Sequence, residues 1–299
     1  MNTNPMSITG TEKESLGWCV TSAISMPDSI IRLYGTHYGE IRGNNTLMAR
    51  EVSANGNIVW ERELMRSDCA PDWGQLSEAS VIRHEGKWIL YCWNQEQNRR
   101  SGIYIYTSDD GLTWKPSRFN PAITSINDSI STFISHSGEL LCYQQLWALR
   151  HSPGLAGFHS LYGKPHWEKP LIKRKMGILY GKANNRMTMF ENLVGPVFIT
   201  MPAFESVQLY KLIPFKYHHE YRGILWSGDA DDFRCWDSLR CHMIRSSDGL
   251  IWEDLGLLPP GRWTSAPVIH SDGSSWWWKE RDGIFTCFNA EETQQLLKT

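Results

Sequence analysis

The 299-residue sequence predicts an all-β chain: a single five-bladed β-propeller with an enlarged fourth blade, spanning 1–299. The first observation behind this is a recurring phrase. Ile103-Tyr-Ile-Tyr-Thr-Ser-Asp-Asp-Gly-Leu-Thr-Trp114 runs as an alternating strand, turns on Asp109-Asp110-Gly111 and lands on a tryptophan. A near copy is Ile244-Arg-Ser-Ser-Asp-Gly-Leu-Ile-Trp252, and looser versions lie at 49–60 and 161–167. The second observation is spacing. Trp60, Trp114, Trp167 and Trp252 are separated by 54, 53 and 85 residues, a period somewhat above the ~40–50 residues of four-stranded propeller repeats. The third is an independent phase marker. Runs suited to innermost strands begin near Ala23, Ala79, Ser129, Arg186 and Ala266, and their spacing stretches at the same place. Together the markers give blades of approximately 18–65, 76–118, 127–170, 184–256 and 263–290.

In chain order, blade one alternates over 20–26, turns at Pro27-Asp28, returns over 30–36, and continues through 46–52 to an Asn55-Gly56 turn and Ile58-Val59-Trp60. A two-residue Asn-Gly turn between alternating runs is a strong hairpin signal. Residues 16–20 are placed to add a strand that closes the ring, after a polar N-terminus. Blade two has strands at 79–83, 87–93 and 103–107, with His84-Glu85-Gly86 as the first turn. Blade three repeats the arrangement at 131–135 and 139–145, with a third strand at 158–162. Blade four begins at Arg186-Met-Thr-Met-Phe190 and continues through 196–201; its enlargement is 202–239. Blade five is 266–270, 275–279 and 284–288, and 291–298 suits a short helix.

The recurring phrase resembles the Asp-box of sialidases and related β-propellers, Ser-x-Asp-x-Gly-x-Thr-Trp. An Asp accepts hydrogen bonds from the turn amides, Gly supplies the positive φ, and the Trp fills the gap behind the turn. Ser80-Val-Ile-Arg-His-Glu-Gly-Lys-Trp-Ile-Leu-Tyr91 resembles a run of five-bladed arabinanase and β-xylosidase-type glycosidases, which implies their fold.

Composition narrows the function. Net charge is −2 without a basic run, so nucleic acid is not an expected partner. No apolar run approaches the ~18 residues of a membrane span. The sequence has no signal-peptide core near Met1, and its seven cysteines are without close pairs; these point to a reduced, cytoplasmic setting. A monomer is expected.

In a propeller the funnel receives the starts of first strands and the ends of second strands. That geometry nominates Thr21, Ser22, Glu78, Asp128, 184–186, Thr264 and Ser265, with His37, Trp93, Asn94, Gln144, Gln145 and Glu280. The box turns face the other side, so Asp109, Asp110 and Asp248 are structural. The arabinanase-type resemblance implies an Asp base in blade one, an Asp in blade two and a Glu acid in blade three, because glycoside hydrolysis uses carboxyls facing across the scissile bond. By position, blade two offers Glu78 and blade three Asp128; blade one offers only Thr21 and Ser22, with Asp72 able to enter from an inter-blade loop. Two carboxylates sharing a site repel, which suits one to act as an acid. The sialidase resemblance implies an arginine triad; its Phe-Arg-Ile-Pro phrase is absent, though Arg186, Arg222 and Arg262 are anion-site candidates.

Candidate catalytic residues are therefore Glu78, Asp128 and Asp72. Candidate substrate-binding residues are His37, Trp93, Asn94, Gln144, Gln145, Arg186 and Arg262. No metal or cofactor is expected: 218–220 and Cys235, Cys241, His242 lack ligand spacing, and Asp229, Asp231, Asp232 read as a solvated loop. Three readings stay open. They are a carbohydrate-active enzyme that cleaves or transfers a glycosyl group, an inert module binding a glycan or partner, and a biosynthetic enzyme on a borrowed scaffold.

Overall fold

The structure, a computed structural model, describes residues 6–7, 18–37, 45–53, 57–66, 76–95, 101–124, 129–149, 174–183, 190–201, 207–229, 238–269, 275–277, 279–280 and 286–287. After a short β1 (Met6–Ser7), β2 (Cys19–Ser25), β3 (Ile31–His37), β4 (Thr46–Val52) and β5 (Ile58–Arg66) form one antiparallel meander. The second sheet is β6 (Ser77–His84), β7 (Lys87–Gln95) and β8 (Ser101–Ser108), edged by β9 (Lys115–Pro116) and β10 (Ile123–Thr124). The third is β11 (Ile130–Ile134), β12 (Leu140–Leu149), β13 (Arg174–Ala183) and β14 (Phe190–Pro196). In the fourth, β15 (Phe198–Thr200) pairs parallel to β19 (Ile251–Leu257), outside β16 (Val207–Tyr217), β17 (Glu220–Asp229) and β18 (Arg240–Ser246). Short pairs follow. β20 (Arg262–Trp263) joins β23 (Lys279–Glu280), β21 (Val268–Ile269) joins β22 (Ser275–Trp276), and β24 (Thr286–Cys287) joins β1.

The arrangement is all-β and propeller-like. First strands β2, β6, β11 and β16 lie side by side in chain order. Successive side chains of a strand point to opposite faces, and here each face meets a different neighbour. Val81 and Leu90 pack on the first sheet with Tyr34, Leu47 and Ala49, whereas Ile82, Ile89 and Tyr91 pack on the third with Ile130, Leu140 and Cys142. Because both faces are buried, the strands read as near-continuous apolar runs. Third and fourth sheets share Phe133, Leu141, Tyr143, Leu225 and Trp252. Residues after the fourth sheet pack on two sides: Trp263 and Trp277 against Trp226 and Met243 of the fourth, Val268 against Val20 and Leu33 of the first.

Hydroxyls tie the first strands together. Thr21 and Ser22 both donate to the Ala79 carbonyl, the latter at 3.4 Å, and Ser22 Oγ accepts the Val81 amide at 2.8 Å. Ser80 Oγ accepts the Thr132 amide at 3.0 Å.

The two close copies of the turn have matching geometry. Asp110 Oδ1 accepts the Leu112 and Thr113 amides, and Asp248 Oδ1 accepts the Leu250 and Ile251 amides, each within 2.9 Å. Gly111 and Gly249 take φ of +74° and +79°, and Ser108 and Ser246 accept their amides. The carboxyl of Asp110 is held below the usual range chiefly by the Thr113 and Leu112 amides. At Asp248 partial burial works against the charge, but the Ile251 and Leu250 amides outweigh it and the net shift is downward.

The blade boundaries at 170 and 184 need correction. The third sheet continues through β13 and β14 to Pro196, so Phe190 lies in its last strand and does not start a fourth blade. In the chain, 150–173 falls between β12 and β13, and the fourth sheet starts only at β15. Residues 202–239, read as an insertion, contain the fourth sheet's first two strands. Two features hid this. Trp167 falls between second and third strands, out of phase with the other markers. Lys211 and Pro214 interrupt the apolar run of β16, although proline is tolerated there because among the described residues β16 is an edge, bonded to β17 alone. The strand that pairs with β24 is β1, upstream of 16–20. The expected strand at 158–162 and helix at 291–298 lie outside the described residues.

Candidate functional site

Three first strands are irregular at the same stage. The register slips between Val20 and Ser22 in β2, between Ser77 and Ser80 in β6, and between Leu209 and Lys211 in β16. Bulges re-aim side chains and concentrate beside active sites. The β6 slip is accompanied by left-handed backbone at two non-glycine residues, Leu76 (φ 56°) and Glu78 (φ 54°). Such residues cost of order 1–3 kcal/mol each and persist only where their surroundings hold them.

The result is a buried ion pair. Lys211 Nζ of the fourth sheet reaches Glu78 Oε2 of the second, although the third sheet's β11 stands between their strands in the ring. The pair therefore crosses the space that the first strands enclose. Lys211 is the inner member, with its side chain 3% exposed; Glu78 retains 11%. The ammonium also lies 5.5 Å from the Trp226 ring centroid, and the Arg262 guanidinium carbon is 5.8 Å from it. Trp226 is fixed by donating to the Trp263 carbonyl at 2.7 Å and by stacking on Tyr210.

Glu78, a candidate by its place at the start of β6, has an ammonium as its close charged neighbour. Asp128, the like charge expected to share the site, lies outside the described residues. Lys211 was missed; a lone lysine inside the apolar stretch 207–215 was the available signal.

The other candidates divide. Asp128, Asp72 and Arg186 lie outside the described residues. Among the described residues, buried Gln144 Nε2 and the buried hydroxyls of Thr264 and Ser265 meet no hydrogen-bond partner. Gln145 is buried near the same end of β12, its backbone N–H donating to the Ser129 carbonyl. Asn94 is half-buried and donates weakly to Tyr106 Oη at 3.4 Å. Trp93 packs between the second and third sheets. His37 is exposed at the end of β3. Thr21 and Ser22 are committed to the neighbouring strand. Arg222 does not join Arg262: it pairs with Glu220 beside the β16–β17 hairpin, at the other end of β17 from Trp226.

A second polar cluster joins three strands of the fourth sheet. His242 Nδ1 donates to Asp254 at 3.1 Å, and Nε2 meets Ser227 Oγ at 2.9 Å. Burial disfavours the Asp254 charge, but the bonds from His242 and the Gly256 amide more than offset it. Ser227 is only 2% exposed, so the relay serves the sheet's architecture. Among the described residues no cluster of three or more His, Cys, Asp or Glu side chains is placed to hold a metal.

No family model matches the sequence, and no curated protein sequence does. Solved structures do resemble it. The family-43 β-xylosidase/α-arabinofuranosidase from a compost microbial metagenome superimposes with TM-score 0.65 at 12% identity, covering 96% of this chain and 93% of that one. A family-43 enzyme from Xanthomonas citri gives 0.66 at 12% identity, covering 95% and 89%. The endo-arabinase of Bacteroides thetaiotaomicron gives 0.59 at 11%, covering 91% and 94%. At these identities the likeness defines the fold class, the propeller of arabinanase- and xylosidase-type enzymes.

Proposed function

We propose that the protein is a carbohydrate-active five-bladed propeller that receives a sugar between the first strands, at Glu78. The observation that carries this is the Glu78–Lys211 pair, set on bulged first strands in the space they enclose. The scaffold supports it, since the compost-metagenome neighbour was solved with xylotriose. A fifth blade is the natural reading of 262–287 with β1, because those residues pack on both the fourth and the first sheets. The Ser108 and Ser246 turns are read as Asp-box turns on the strength of their matching hydrogen bonds. A cytosolic protein is part of the proposal, supported by buried thiols at Cys92 and Cys142.

Glycosyl cleavage or transfer would need a second carboxyl, from Asp128 or Asp72. The test is turnover of nitrophenyl xylosides and arabinofuranosides and of xylo- and arabino-oligosaccharides, with Glu78→Gln and Asp128→Asn. Turnover that falls by orders of magnitude in both variants, without loss of folding, supports the enzyme. A crystal structure with these carboxyls more than about 10 Å apart, beyond the inverting separation, removes that pair. One observation favours a binding module instead: the first sheet offers hydroxyls at this level, and both are used between strands. Binding without turnover would establish that reading; neither binding nor turnover would overturn both.

A further inference from the structure

The proposal that a sugar binds at Glu78 leaves open what Lys211 does and which sugars the site selects. A buried ammonium carries three donors. Lys211 directs one to Glu78 Oε2 and lies near the Trp226 ring; it has no other polar partner among the described residues. Among the described residues the carboxylate is held through one oxygen, Oε2. Glu78 Oε1 accepts no hydrogen bond among the described residues, and Glu78 is the more exposed member of the pair.

The orientation is set by backbone conformation on both sides. The β16 bulge turns Lys211 inward from the fourth sheet, and the left-handed backbone at Glu78 turns the carboxylate to meet it. A ligand entering along the axis therefore meets an acceptor oxygen backed by a concealed positive charge.

We propose that Lys211 is a positioning residue, which fixes Glu78 with Oε1 as the acceptor for a ligand hydroxyl and thereby selects neutral sugars over acidic ones. An acidic sugar would bring its own carboxylate against Glu78 while the compensating ammonium stays behind it. Repulsion at that distance is strengthened by the partly desolvated surroundings. A neutral sugar instead donates O–H to a charged acceptor, a bond stronger than a neutral one.

The experiment is calorimetric titration of the full-length protein with xylotriose, arabinotriose and trigalacturonate, with thermal melting of every variant. Wild type binds a neutral trisaccharide and not trigalacturonate. Glu78→Gln weakens the neutral ligand about tenfold or more, the loss of one charge-assisted hydrogen bond. Lys211→Met leaves a buried carboxylate unpaired, so it melts lower and binds less. Lys211→Arg recovers much of both. The double variant Glu78→Gln/Lys211→Met removes both charges and recovers the melting temperature but not the affinity; that split separates a positioning role from a merely structural one. Lys211→Met or the double variant binding like wild type would overturn the proposal, as would tighter binding of trigalacturonate. If wild type binds none of the three, the sugar reading falls with it, and that outcome is distinct because it precedes any variant.

Discussion

Trp252 is the side chain through which the late turn holds the third and fourth sheets together, and its removal has a calculable effect. The residue is 0% exposed. Its ring meets Tyr143 of the third sheet edge-on at 5.9 Å, and Nε1 donates to the Gly249 carbonyl at 3.0 Å, inside the turn that Asp248 caps. A buried aromatic covers 150–250 Å². At ~25 cal/mol per Å² the burial contributes about 4–6 kcal/mol, an upper bound because unfolded chains already hide part of that area. Measured truncations of buried aromatics cost about 3–5 kcal/mol. Trp252→Ala should therefore lower stability by about 3–5 kcal/mol, read as a fall in the urea midpoint at unchanged slope. Trp114→Ala supplies the control. Trp114 is only half-buried and its Nε1 has no partner among the described residues, so its loss should cost clearly less. If Trp252→Ala stays within ~1 kcal/mol of wild type, or costs less than Trp114→Ala, the turn tryptophan is not the plug described here.

Three further outcomes follow from other contacts. Arg32 binds Glu51 and donates to the Asp110 carbonyl of the neighbouring sheet at 2.7 Å; Arg32→Met should cost about 3–5 kcal/mol by leaving Glu51 buried and unpaired, whereas Arg245→Met, at an exposed pair, should change the melting temperature little. Asp110 and Asp248 have depressed folded pKa values, so the stability they add is complete above the unfolded value near ~3.9 and is lost as pH falls through the folded values. Asp110→Asn and Asp248→Asn should accordingly flatten the acid limb of a melting-temperature profile, and an unchanged limb would refute the capping role. Burial pushes the Cys241 thiol up to about 12 and raises Cys92 and Cys142 further; alkylation at neutral pH, followed by peptide mass spectrometry, should spare all three until the protein unfolds.

The sheets that were legible in the sequence are those whose strands obey local rules. In the first two blades, Asn55-Gly56 and Glu85-Gly86 punctuate apolar runs of strand length, and nothing inside the runs breaks them. The fourth sheet was obscured because its first strand carries Lys211 and Pro214, residues a central strand would exclude but an edge facing an enclosed axis accepts. The site follows the same division. Glu78 could be nominated from its place at the start of a strand, since that place depends only on phase. The pairing could not: Glu78 and Lys211 are 133 residues apart and meet only because two bulges turn them inward, and a bulge leaves no fixed mark in a sequence. His242 and Cys241 were grouped as metal-ligand types by adjacency, yet alternation sends them to opposite faces. His242 goes to Asp254 and Cys241 to the cluster around Trp226.

The most direct test is a crystal structure of the protein soaked with a neutral trisaccharide that binds it in solution. The sugar is expected between the first strands, with one hydroxyl within about 3.2 Å of Glu78 Oε1 and Lys211 still on Oε2. A sugar bound on an outer blade surface, with the space beside Glu78 empty, would contradict it.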